Sequence, residues 1–556
     1  MAGSESASEK VEHGVHSGGF SSTERLTALA VTTDHTRRLA WREAVLVFVL
    51  ALAVRVALAI PQTQPGYMDA YYYTVGAQQL ATGRGFTEPF IWNYLDDPQS
   101  LPRPSHQYWM PLPSILAGLS MRVFGVNFRA AQVPFVLLSA LLPVIAYAIG
   151  WQAFANRRQA WAAALYTLFS GFFLPVWSLP ETFAPFAVFG ALSLWAAGRG
   201  GRWSFVAGVC AGLAHLTRAD GVLLLLPALL LVWARPRSAP DKSGPKTAGR
   251  ALVWAALIFL GYVVVIAPWL IHNGITTGRL LSTAGAKTLF LTNYDDLYSF
   301  GKTLDLPTYL SWGAGNILRS KLNALWANLL TLVAVDGLVF LAPFAIVGLW
   351  RLRHDPLYQS AMSYGAVLYL AMSLAFTFPG PRGGMFHSSA ALLPFIFAAA
   401  IVGLDAVVDW VAARRAAWDA TMARRVFMWG LVALAVLVSA AIYASRVRNW
   451  NQADAVYATI GERLGGQSSV VVMVNDPPGY VYHTGQPAIA IPNGDVDTLL
   501  AAARRYGVTW VALDANRPAA LAGLYDQPSS DPRLILVQTF ESGGKPVYLF
   551  RVRGGD

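Results

Sequence analysis

The chain has 556 residues, 55% hydrophobic and 13% charged, with a mean hydropathy of +0.43 and a formal net charge of +11. This is too apolar and too poor in charge for an ordinary soluble domain, so the composition indicates a polytopic, mainly α-helical membrane protein. Its basic residues stand in short clusters beside apolar runs, which is a topology pattern and excludes nucleic acid as partner; the lone Cys210 excludes a disulfide framework or a cysteine zinc site within one chain.

Residues 1–43 are polar and rich in Ser, Thr, Glu and His, without a signal-peptide core, and read as a disordered cytoplasmic tail. A membrane helix needs about 20 apolar residues. Runs of that kind predict spans at 44–61, 129–150, 159–178, 182–198, 203–218, 221–235, 251–272, 326–350, 359–378, 388–410 and 426–445, about eleven in all. Clusters at Arg37, Arg38 and Arg42, at Arg157 and Arg158, at Arg199 and Arg202, from Arg235 to Arg250, at Arg351 and Arg353, and from Arg414 to Arg425 all fall on one side of that count. The positive-inside rule makes that side cytoplasmic. The expectation is a multi-pass protein of the plasma (inner) membrane with its amino terminus inside. The loops 62–128, 179–181, 219–220, 273–325 and 379–387 and the carboxyl-terminal segment then lie outside. "PLPSILAGLSMRVFG" at 111–125 would break the phase as a span, so it is laid along the outer membrane surface as an amphipathic piece.

Beyond residue 445 the pattern changes. "SSVVVMVND", "VTWVALD", "RLILVQTF" and "VYLFRV" read as short strands, and "DVDTLLAAARRYG" as a helix with an aspartate start. The predicted organisation is thus a tail (1–43), a transmembrane catalytic domain (44–445) with its first outer loop at 62–128, and a small extracytoplasmic α/β domain (446–556).

Two acids stand out on the outer side. Asp69 in "QPGYMDAYYYTVGAQQLATGRG" follows the first span at once; either it caps a helix beside an interfacial belt of Tyr71, Tyr72 and Tyr73, or it is a carboxylate held where partial burial suits it to take a proton from an acceptor. Glu181 in "LPVWSLPETFAPF" occupies a tight outer turn, where the dipole of the next helix alone would also favour it. Together, paired carboxylates at one interface can act as general base and as metal or acceptor ligand. Asp96 with Asp97, and Asp295 with Asp296, read as turn residues.

The order of these pieces resembles a known family. "YMDAYYY", then the Pro-rich "WMPLPSILAGLSMRVFG", then "RAAQVPFVLLSALLPVIAYAIG", the basic turn "NRR" and "LPETFAPF" look like the C-type (GT-C) glycosyltransferases, in the branch holding protein O-mannosyltransferases and lipid A aminoarabinose transferases. "LAHLTRADGVLLLLPALLL" and "APWLIHNGITTGRLLS" also resemble recurring segments of bacterial members, and the likeness covers about 44–410. It implies a transferase that moves a hexosyl or pentosyl group, with inversion, from a polyprenyl-phosphate carrier to a lipid, protein or glycan acceptor at the outer face, among membrane lipids. It carries a catalytic role onto Asp69 and an assisting role onto Glu181, through the acceptor or a metal. No cofactor is certain; a divalent metal held by Asp69 and Glu181 is possible. Ala70 stands where some members have a second acid, and His106 in "HQYWMPLP" is displaced from the usual basic position before the Pro-rich entry.

A phosphate at the interface needs positive charge, and a sugar ring favours aromatic faces. The substrate-binding candidates are Arg382 in "FPGPRGGMFHSS", with nearby His387, then Arg55 within the first span, Lys287, His106, Tyr72 and Trp109. Trp92, Tyr94 and Tyr108 are further stacking surfaces, while Arg218 and Asp220 in "LTRADG" read as neutralising each other. A lipid-linked-sugar transporter or flippase, or a non-catalytic scaffold, is the rival expectation. A transporter would place its polar residues at mid-membrane and show paired repeats.

Overall fold

A computed structural model describes residues 22–154, 156–234, 245–377, 383–415, 417–465 and 470–553. The chain divides into two units at Leu46 and Val47. The first is helical from Ser22, upstream of the end predicted for the disordered tail.

Among the described residues, four helices are long and apolar enough to cross a bilayer, within Phe128–Ala153, Gly249–Thr277, Gly384–Ala412 and Ala420–Arg463. A count of eleven continuous spans is not reproduced among the described residues. The predicted span 159–178 divides into the helix Arg157–Leu168 and the 3-10 turn Gly171–Val176, which contains Pro175, a residue without an amide proton to continue the ladder. The span 221–235 opens on a 3-10 turn, Ala219–Leu224. The span 326–350 consists of Ala314–Leu330, a π-helical turn Thr331–Asp336 and a separate helix Ala342–Arg351. Apolar composition runs straight through all three breaks.

Small residues let the helices approach closely. A Cβ built on Gly348 would lie 1.8 Å from the Ala399 carbonyl oxygen, and one on Gly403 1.8 Å from that of Phe344, so both glycines mark a backbone-to-backbone crossing of Ala342–Arg351 with Leu393–Ala412.

The predicted first outer loop begins with the helix Met68–Ala81, packed on Leu112–Phe124. The latter is amphipathic, as expected: Leu112, Ala117 and Met121 are buried while Leu119, Val123 and Phe124 are exposed. The predicted belt of tyrosines is not at a lipid interface. Tyr71, Tyr72 and Tyr73 are at most 2% exposed, enclosed by Phe90, Trp92, Tyr457, Tyr480 and other residues from the loop and the carboxyl-terminal region.

The carboxyl-terminal region carries a six-stranded sheet in the order Phe90–Ile91, Ala488–Ala490, Val471–Val474, Val508–Leu513, Lys545–Val552, Leu534–Ser542. The first four strands run parallel and the last two close an antiparallel hairpin edge. All four strands read from the sequence are present, and Asp495 caps the expected helix Val496–Tyr506 by accepting from the Thr498 amide. The edge strand comes from the first outer loop: Phe90 pairs with Ala488 and Ile91 with Ile489. Tyr94 Oη donates to the Ala490 carbonyl at 2.5 Å and Tyr506 Oη to that of Pro98 at 2.8 Å, so loop and sheet form one body.

Candidate active site

The site is assembled where four segments meet. Asp69 sits in the first turn of Met68–Ala81, where the helix is capped by no side chain, so its carboxylate is not consumed as an N-cap. Glu181 precedes Phe183–Arg199 and does bond to that helix's start: Oε1 accepts from Thr182 Oγ1 at 2.9 Å and Oε2 from the Phe183 amide at 3.1 Å. The dipole reading of Glu181 is therefore partly correct, but the side chain also faces a third group. His387, in the short helix Gly384–Ser388, brings Nδ1 to 3.5 Å from Glu181 Oε1 and 3.2 Å from Thr182 Oγ1, its ring stacked on Phe183 at 4.3 Å. Ligand-type atoms of Asp69, Glu181 and His387 all lie within 4.8 Å of one another.

Arg218 closes the group. Its Nε donates to Asp220 Oδ1 and to Ser388 Oγ, each at 3.1 Å. The pair read from the sequence as self-neutralising is thus formed, on the wall of the same cavity as Asp69.

That cavity has a volume of about 560 Å³. Asp69, Arg218, Asp220 and His387 line it with an aromatic wall of Tyr73, Trp92, Tyr108, Trp109 and Tyr294, and Trp92 and Trp109 stack at 4.2 Å. Tyr67, Arg446 and Trp450 line it too, the ring of Tyr67 resting 5.1 Å from Trp450. Sequence reasoning missed Arg446 and Trp450, whose only signal is a polar turn just after the last apolar run.

Electrostatics set the state of the acids. Burial pushes the Asp69 carboxyl upward, opposed by the charge of Arg218. Glu181 is pushed up by burial and by the charge of Asp69, and Arg218 opposes this as well. Two buried carboxyls so close titrate as a pair, so the first proton stays on to a higher pH than in a solvated acid. A proton-holding pair beside a fixed cation suits proton abstraction from one reactant next to an anionic other.

Of the other candidates, Trp109 lines the cavity, and four residues are placed elsewhere. His106 is 2% exposed, its amide bonded to Tyr72 Oη at 2.9 Å; burial drives its imidazole down to about 3, so it is neutral and does not fit the phosphate contact assigned to it. Tyr72 is buried against His106 and Trp109 behind the wall. Lys287 donates to the Leu95 carbonyl at 2.6 Å and ties two distant segments together. Arg55 does not snorkel outward: it is 1% exposed, with its guanidinium 5.7 Å from the Trp177 ring centroid. Arg382 lies outside the described residues. The acids read as turn residues are structural: Asp96 forms a two-pronged bond with Arg103 at 3.1 and 2.6 Å, and Asp296 completes a capping box with Asn293.

The fold and the site define a polytopic membrane protein of GT-C architecture, with an acidic and aromatic cavity between its helices and its sheet. Residues 103–272 match the family dolichyl-phosphate-mannose-protein mannosyltransferase. Among solved structures, the chain is similar to ArnT from Cupriavidus metallidurans bound to undecaprenyl phosphate, with 14% identity over 91% of this chain and 97% of that one and a TM-score of 0.51. It is also similar to the apo state of the same protein, with 13% identity over 92% and 98% and a TM-score of 0.54. At that identity the likeness is one of fold.

Proposed function

We propose that the chain is an integral membrane glycosyltransferase that moves a sugar from a polyprenyl-phosphate carrier to an acceptor at the outer face of the membrane, with inversion. The observation that carries this reading is the convergence of Asp69, His387 and Arg218 on one aromatic-walled cavity, with the buried Glu181 within 4.8 Å of the first two. The family match and the fold shared with a protein described as bound to undecaprenyl phosphate support it. The multi-pass arrangement, with the amino terminus inside and the sheet outside, follows from the distribution of basic residues.

In this scheme Asp69 takes the proton from the acceptor's hydroxyl or amine as that atom bonds to the anomeric carbon. The bond from carbon to phosphate oxygen breaks on the opposite face, and its electron pair stays with the departing polyprenyl phosphate, whose charge Arg218 balances. Glu181 orients the acceptor, and His387 holds Glu181. Trp92, Tyr108 and Trp109 bracket the sugar ring. Asp69, Glu181 and His387 are also the side chains that would hold a divalent cation. Two carboxylates and an imidazole within 4.8 Å are a fitting donor set, and a bound ion would supply further positive charge against the phosphate.

The test is transfer in membranes of a strain lacking this chain, complemented with wild type or Asp69→Asn and supplied with labelled polyprenyl-phosphate sugars. Label entering lipid, protein or glycan only with wild type is expected, and the labelled fraction names the acceptor. Equal labelling by a correctly inserted Asp69→Asn variant would refute the scheme.

A further inference from the structure

Asp336 takes no part in the scheme above, yet it is an acid within the predicted span 326–350 and is 0% exposed. An ionisable group there demands a partner and a purpose. Its Oδ1 accepts from Ser389 Oγ at 2.9 Å, whereas Oδ2 has no partner among the described residues.

The backbone around it is equally unusual. Asp336 ends the π-helical turn Thr331–Asp336, and Leu338 and Val339 follow with φ of 48° and 59°. A β-branched residue enters that left-handed region only where its surroundings impose it. The turn is pinned from outside: a Cβ on Gly171 would lie 2.2 Å from Leu338 Cδ2, and one on Gly337 2.7 Å from Ala342 Cβ. An ordinary helix through 331–341 would carry the carboxylate past Ser389, and single-turn π segments recur where a side chain must be re-aimed.

What Asp336 grips is the segment that carries His387. On one flank, Ser388 Oγ is bonded to Asp220 Oδ2 and receives Arg218 Nε, while Tyr364 Oη donates to the Ser388 carbonyl at 3.3 Å. On the other flank, the polar side-chain tether to a distant segment is Ser389 to Asp336. His387 lies two residues before that tether, with Nδ1 near Thr182 and Glu181.

We propose that Asp336 is a positioning residue which, through Ser389, fixes the short helix Gly384–Ser388 so that His387 faces Glu181. The proposal rests on the transferase reading for its effect on rate, but the placement of His387 can be measured without turnover.

The experiment uses the full-length chain in bilayer nanodiscs, as wild type, Asp336→Asn, Asp336→Leu, Ser389→Ala, His387→Gln and the Asp336→Leu/His387→Gln double variant. Sugar transfer is one readout. The other is carbethoxylation of His387 by diethyl pyrocarbonate, followed by mass spectrometry. Asp336→Asn keeps an oxygen acceptor for Ser389 and should match wild type in both. Asp336→Leu and Ser389→Ala should lower kcat by roughly tenfold or more with donor KM little changed, since misplacements near 1 Å cost that much, and should raise His387 modification. In the His387→Gln background Asp336→Leu should have almost no further effect, because both changes break one chain of contacts. Equal, multiplicative losses in the two backgrounds, or unchanged His387 modification in Ser389→Ala, would overturn the proposal. If wild type transfers no sugar, the transferase reading fails while the modification pattern still decides the role of Asp336.

Discussion

Arg218→Gln is the substitution whose consequences the site dictates most fully. The guanidinium is held through Nε by Asp220 and Ser388 at 3.1 Å, its side chain is 17% exposed, and it stands on the cavity wall where its charge acts on the carboxyls of Asp69 and Glu181. Three effects follow. Loss of one preorganised donor to a departing oxyanion costs about 2.7–4 kcal/mol, so kcat should fall by roughly 10²–10³. Asp220, 11% exposed, is left without its counter-charge, and breaking such a pair from one side costs about 3–5 kcal/mol of stability. Arg218 also holds Asp69 and Glu181 down, so its removal raises both and the acidic limb of the rate profile should move to higher pH. Initial transfer rates across pH 5–9 and thermal unfolding in detergent measure all three. The Arg218→Gln/Asp220→Asn double variant should recover the melting temperature but not the rate, which separates charge balance from catalysis. A kcat within about threefold of wild type, equivalent to under about 0.7 kcal/mol, with an unmoved acidic limb would refute the role given to Arg218.

Three further outcomes can be stated. Glu181→Gln removes a negative neighbour from Asp69, so transfer should fall while its acidic limb moves to lower pH. Because both carboxyls bind protons more tightly when folded than when unfolded, the ligand-free protein should lose stability as pH rises from the ordinary carboxylate range upward, and Glu181→Gln should flatten that slope in a melting series. Gly403→Ala should lower the melting temperature by the equivalent of about 1–3 kcal/mol or more, because the added methyl meets the Phe344 carbonyl at 1.8 Å, whereas Gly430→Ala, which meets nothing within 4 Å, should be neutral or mildly stabilising.

Asp69 and Glu181 were legible because topology alone puts a carboxyl at the same membrane face twice, and a pairing of that kind survives ignorance of the fold. The partner of Glu181 was not: His387 is separated from it by six predicted spans, and only packing brings the two within 3.5 Å. The tyrosines after Asp69 misled in a definable way, since an amphipathic aromatic ring suits a headgroup layer and a packed polar core equally well, and burial decides between them. Strands of four or more residues rich in β-branched and apolar side chains were visible, while Phe90–Ile91 and Ala488–Ala490 are too short to show a period. The breaks at Gly171–Val176 and Thr331–Asp336 were hidden because helix interruptions inside a protein need not interrupt apolarity.

The strand Phe90–Ile91 also sets an order of assembly. It leaves the ribosome with the segment 62–128, but its neighbour Ala488–Ala490 is made only after every predicted span. Until then the loop cannot complete the wall that carries Trp92 and Trp109, so every intervening membrane helix must be inserted before the cavity can close. A chain halted before residue 488 would leave Phe90–Ile91 without its neighbour, and the isolated carboxyl-terminal region would present the bare edge of Ala488–Ala490 to any passing strand. Translation of the sheet is thereby the step that completes the strand partnership of this loop.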